Sequence, residues 1–135
     1  MKVWLLNTFR QAAWAPSLVL LFYFIVGKGF SAYSAYPDLD MPTHFFGGMA
    51  LAYFYLVAIF QSQQLIGPCP QLLQSICALG LAAISNILWE FMETLWDLGF
   101  ATHINQGIND TLSDLFFGLF GATMMVLLAK PPERF

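Results

Sequence analysis

Four stretches of this chain are long and apolar enough to cross a bilayer, and they leave few residues over for anything else. They run from about 12 to 30, 43 to 61, 72 to 96 and 111 to 130. A helical span needs about 20 residues at 1.5 Å rise each. Backbone groups in hydrocarbon must bond within their own segment, so such stretches read as helices. The first contains Leu18-Val-Leu-Leu-Phe-Tyr-Phe-Ile-Val26, with Pro16 near its start, where a missing N–H is tolerated. Pro68, Cys69 and Pro70 break the chain between the second and third, and the polar run 99–109 separates the third from the fourth. Only 10% of the residues are charged, against about 25% in a soluble domain. The expected fold is all-α: a polytopic membrane protein, a four-helix bundle forming one domain over residues 1–135, with the lipid bilayer as its surroundings.

Orientation follows from Lys and Arg, which favour cytoplasmic flanks. Lys2 and Arg10 precede the first span, Lys130 and Arg134 follow the fourth, and Lys28 alone lies on the other side. Both termini are therefore expected in the cytoplasm of a bacterial-type inner membrane. Lys2, Arg10, the first apolar stretch and Ser31-Ala-Tyr-Ser-Ala35 also have the layout of a signal peptide. The first segment is read here as a retained span; cleavage would leave three. No basic cluster suits nucleic acid. Cys69 reads as a loop thiol and Cys77 as one buried in a span. Trp89, Trp96 and Tyr36 suit an interfacial belt.

This topology gathers the acids. Seven of the eight fall between Asp38 and Asp114, where Lys28 is the nearest base. Asp40 and His44 open the second span from outside. Glu90, Glu93 and Asp97 close the third. Asp110 and Asp114 open the fourth. Asp40/His44 and Asp110/Asp114 have i,i+4 spacing and Glu90/Glu93 has i,i+3, so each pair can share a helical face. Asn86 lies one turn below Glu90. Gly47-Gly48, Gly80-x-x-Ala83 and Gly118-x-x-Gly121 place small residues where spans can approach closely.

Several carboxylates in one small site cannot all stay ionised alone, and a buried ion costs several kcal/mol even after relaxation. A bound cation, a shared proton or a partner's basic side chain would each answer this. Oxygen ligands with one imidazole suit a divalent metal ion of open identity. The candidate ligands are Asp40, His44, Glu90, Glu93, Asp110 and Asp114, with Glu90 and Asp114 foremost. The plainer reading has Asp40 and Asp110 capping helices and Asp114 answering a helix dipole. Glu90 resists it, because an acid near a helix C-terminus opposes the dipole. His103 reads as a solvated loop residue.

Asp40-x-x-x-His44-Phe45, Trp89-Glu90-Phe-Met-Glu93, Gln106-Gly107, Asp110-Thr111-Leu-Ser-Asp114 and Gly121-Ala122 resemble, in this order, the YjdF-like inner-membrane proteins, a family of unknown function. A looser similarity links the chain to VanZ-like membrane proteins. The YjdF-like group is longer, with more spans, and usually carries an extra Asp and a Trp where this chain has Ile108-Asn109. The resemblance implies an integral membrane protein with a polar outer site, and no particular reaction.

Two functions are compatible with these residues. One is a cation- or proton-binding site at the outer leaflet, used for metal-assisted hydrolysis of a lipid-type substrate, with Glu93 as base and His44 as ligand or acid. The other is an accessory or assembly subunit of a larger membrane complex, its acids pairing with a partner subunit or that partner's cofactor.

Overall fold

The computed structural model describes residues 2–100, 104 and 107–129. His103, Gln106, Lys130 and Arg134, read from the sequence above, lie outside the described residues. Every regular element among those described is helical. Helix α1 is Lys2–Ala12 and α2 is Trp14–Phe22, which runs on as a π-helical turn, Tyr23–Gly29. The short α3 (Ala32–Ala35) and a 3-10 turn (Pro37–Leu39) lead into α4 (Asp40–Ile66), then α5 (Gln71–Phe100) and α6 (Ile108–Leu128). The segments Pro37–Ile66, Gln71–Phe100 and Ile108–Leu128 are each long and apolar enough to cross a membrane. Val3–Ala12 and Trp14–Gly29 meet at 48°, and together would make a fourth span.

The expected span over 12–30 thus becomes the second arm of a bent pair, and the residues before it are helical too. The cause is local. Pro16 has no N–H to give the carbonyl of Ala12, so the ladder breaks there, while Ala13 N–H still bonds Phe9 and Ser17 N–H bonds Ala13 on either side. The bent pair lies antiparallel along α4. Phe9 meets Phe54 edge-on with centroids 5.6 Å apart, and Trp14 packs on Tyr53 at 5.9 Å. Gln61 Nε2 donates to Gln11 Oε1 at 2.9 Å, and Gln64 Nε2 donates to Gln61 Oε1 at 3.2 Å. Buried Gln61 thus finds partners in the exposed Gln11 and Gln64, as a buried polar group requires.

The interior is built from small residues and the exterior from large ones. Ala52, Ala82 and Ala122 form the fully buried centre, while Leu88, Phe91, Leu95 and Leu127 face outward. In hydrocarbon no hydrophobic force drives helices together, so association depends on close van der Waals fit between small side chains. α4 and α6 form the tightest pair. A Cβ at Gly48 would run into the carbonyl of Gly118, and one at Gly121 into the carbonyl of Phe45. Gly80 takes no part in this; a Cβ there meets nothing within 4 Å. The inner face of α5 is instead Ala78, Ala82, Asn86, Glu90 and Glu93, spaced at four, four, four and three. Cys77 sits one position off that stripe and is exposed, not buried.

Replacing Gly48 by Leu is expected to destabilise the protein by about 3 kcal/mol or more, since overpacking here meets backbone and not a movable side chain. Gly80→Ala is expected to leave stability unchanged or slightly raised. Thermal unfolding in detergent, compared across the two variants, checks both.

Candidate functional site

Three helix ends deliver the site. Asp40 is the first residue of α4, where Leu39 holds the N-cap position; its carboxylate lies toward His44, one turn on. Asp114 lies about 9 Å along α6 from its start, and Glu90 about 15 Å from the end of α5, at 1.5 Å per residue. The antiparallel order of α4, α5 and α6 brings these levels together. The contact of Gly48 with Gly118 falls beneath, one turn along α4 from His44 and one turn along α6 from Asp114.

His44 is the hub. Its Nε2 lies 3.6 Å from Asp40 Oδ1 and 3.8 Å from Asp114 Oδ1, while its Nδ1 lies 3.9 Å from Glu90 Oε1. The side chains of His44, Glu90 and Asp114 are only 9%, 7% and 3% exposed. None of these separations is a hydrogen bond; each leaves the pair apart by a few tenths of an ångström or more. Two groups of three could each hold an ion: Asp40, His44 and Asp114, and His44, Glu90 and Glu93, with ligand atoms mutually within 4.8 Å. Glu90 and Asp114, the foremost ligands expected from sequence, face opposite nitrogens of the same ring.

Glu90 is the least satisfied group. Neither of its buried carboxylate oxygens accepts a hydrogen bond of ordinary geometry, although Thr111 sits against it. Asn86, one turn below, has a buried Nδ2 without an acceptor. Glu93 is better served, since the Tyr23 hydroxyl donates to its Oε1 at 3.0 Å. Asp110 belongs to neither three-residue group; its charge reaches Asp40, His44, Glu90 and Asp114 from the mouth. Asp97, expected among the acids of the mouth, instead accepts the Ile104 N–H at 2.8 and 2.9 Å and anchors the following loop.

Lys28 does not neutralise the cluster. Its ammonium lies over the ring of Tyr23, 5.3 Å from the centroid, and 6.0 Å from that of Tyr33. Among the described residues it forms no ion pair. Tyr33 in turn donates to Thr43 Oγ1 at 3.0 Å. Burial raises its phenol above the ordinary range, and the bond to Thr43 offsets part of that. Trp89 packs inward, edge-on to Tyr23 at 5.1 Å, while Trp96 and Tyr36 are exposed as a belt requires. Tyr23 has a role that the sequence did not disclose. It is one aromatic among many in an apolar run, and only the π-helical turn that it opens, a feature frequent at functional sites, singles it out.

The same residues lie inside a family match that spans residues 2–131 and carries the description "Predicted membrane protein (DUF2238)". The chain belongs to this family. An uncharacterized protein of Thermotoga maritima is 26% identical over 114 residues, covering 82% of this chain and 58% of that one. The chain therefore spans somewhat more than half of that relative's length. No solved structure matches it.

In this DUF2238 member the Tyr23–Glu93 bond links the bent pair to α5 inside the bundle. Tyr23→Phe is expected to cost about 1–3 kcal/mol, the range for a buried hydrogen bond to a carboxylate. The loss is read from thermal or denaturant unfolding against the parent protein.

Proposed function

We propose that the cluster is a divalent-cation site. The cation sits at Nε2 of His44 with Asp40 and Asp114 as further ligands, and Glu90 receives the hydrogen on Nδ1. One observation carries this reading: carboxylates from three helices, those of Glu90 and Asp114 buried and that of Asp40 partly so, surround one buried imidazole, with no basic partner among the described residues. A cation would supply the missing charge. A carboxylate on the second ring nitrogen is the usual partner of a metal-bound histidine, because it sets the tautomer and aims the ring. Glu90, with both oxygens unpaired, suits that role.

A divalent ion here would polarise an ester or phosphoester oxygen and activate a bound water. Glu93, held by Tyr23, is placed to act as base. The reaction that fits is metal-assisted hydrolysis of a lipid-type substrate. We further infer that the bent pair is one span, giving four, with both termini in the cytoplasm of a bacterial inner membrane, as the Lys and Arg bias supports. The YjdF-like resemblance agrees with the family match, and the VanZ-like one rests on its motifs alone.

Titration of chelator-treated protein with Mn²⁺ or Zn²⁺ tests the site by calorimetry. One ion per chain is expected. His44→Ala and Asp114→Asn should weaken binding at least tenfold, Glu90→Gln by about 10–100-fold, and Asp97→Asn not at all. Absence of stoichiometric binding, or equal affinity in all four variants, would refute the reading. Reporter domains fused to each end, both active only in the cytoplasm, check the topology.

A further inference from the structure

Beside the acid cluster lies a half-open cavity of about 230 Å³ between α2, α4 and α5. Val19 and Leu20 form one wall, and Leu51 with Gly47 another. Its polar lining includes His44 and Asn86, with Thr43 and Ser85. His44 therefore belongs both to this cavity and to the candidate cation site.

We propose that the cavity holds a single hydrocarbon chain of a lipid, whose head-end ester or carboxyl oxygen accepts the unpaired hydrogen bond of Asn86. Three observations support this. The space exceeds the roughly 150 Å³ apolar cavity that takes up benzene, yet it is far too narrow for a helix about 10 Å across, so a partner protein's span is a poor occupant. Most of its exposed lining is apolar despite Thr43, Ser85 and Asn86. That suits a hydrocarbon chain with a polar head better than water, which needs two to four polar partners. Asn86 is only 7% exposed, and its Nδ2 has no acceptor among the described residues. A buried donor of this kind carries a desolvation cost that an incoming acceptor removes. An acyl chain with one oxygen at its head matches both features.

Gly47 bears on the same point. Unlike Gly48 and Gly121, it is not needed for helix contact, since a Cβ there would meet only Val19 Cγ1, at 3.8 Å. The missing side chain widens the cavity and serves no crossing of helices. The lipid so held would present its head group to His44. That use of the lipid rests on the cation-site reading, whereas binding of the chain does not.

The probes are palmitic acid carrying a mid-chain diazirine and a phosphatidylcholine with the same acyl group, each photolysed with the intact protein in nanodiscs. Labelling is expected to concentrate on peptides covering 16–20 and 44–51, and to be competed by unlabelled palmitate or phosphatidylcholine. Whichever probe labels identifies the source as free acid or phospholipid. Gly47→Leu should reduce labelling at least fivefold while leaving Mn²⁺ affinity unchanged. Leu20→Trp, on the exposed wall, should do the same if the first variant folds poorly. Asn86→Leu should weaken palmitate competition about tenfold. Labelling spread evenly over outward residues such as Leu88 and Leu127, and indifferent to Gly47→Leu, overturns the proposal. So does cavity labelling that appears only after a co-purifying polypeptide is stripped away. Focused labelling in a protein that binds no Mn²⁺ supports the lipid site and removes the cation reading alone. Mn²⁺ binding with diffuse labelling does the reverse.

Discussion

The backbone contact between α4 and α6 sets the distances on which the site depends. Gly48 lies against the carbonyl of Gly118, and Gly121 against that of Phe45. Side chains at these positions would push the two axes apart, and His44 and Asp114, each one turn from a contact glycine, would separate with them. Lipid tails are as apolar as leucine, so no burial of apolar surface compensates for a poorer fit. The geometry of a polar centre thus depends on residues that have no side chain at all.

The centre itself is an electrostatic problem with few internal solutions. Two unit charges 4 Å apart repel by about 4 kcal/mol at an effective dielectric of 20, and ligand oxygens of Asp40 and Asp114, like those of Glu90 and Glu93, lie within 4.8 Å of one another. Lys28 lies over the rings of Tyr23 and Tyr33, where its charge is stabilised by aromatic faces. It acts on Asp40 and Glu93 only through space. The hydroxyl of Tyr23 serves one carboxylate of the set. Neither buried oxygen of Glu90 accepts a hydrogen bond of ordinary geometry, although Thr111 sits against it, which in a native interior calls for an explanation. The proposed cation on the far side of His44, with the imidazole donating its other N–H to Glu90, would give one.

Helix α5 shows how one surface can grade from packing to chemistry. Ala78 and Ala82 touch the core, Asn86 comes next, and Glu90 and Glu93 follow on the same stripe. Each step along the stripe moves from the apolar interior toward the charged mouth. Asn86 lies at the boundary between them and borders the cavity as well. The bent pair completes the wall, with Val19 and Leu20 along the cavity and Tyr23 reaching Glu93.

The sequence by itself determined the membrane class, the long helices and which acids share a face, because these depend on hydropathy and on a fixed 3.6-residue period. Asp40 with His44, and Glu90 with Glu93, were legible for that reason. What crossed between helices was not. Pro16 could be seen in the sequence, but not the 48° angle at the break or the partner that Gln11 finds in Gln61. Gly80 and Gly48 look alike in a list of small residues; only packing shows that one faces open space and the other a carbonyl. Asp97 and Asp114 are both acids near helix ends, yet one anchors a loop and the other is buried against His44. Tertiary structure decided these because rotation of a helix about its axis is set by its neighbours, and nothing in local periodicity records which neighbour that is.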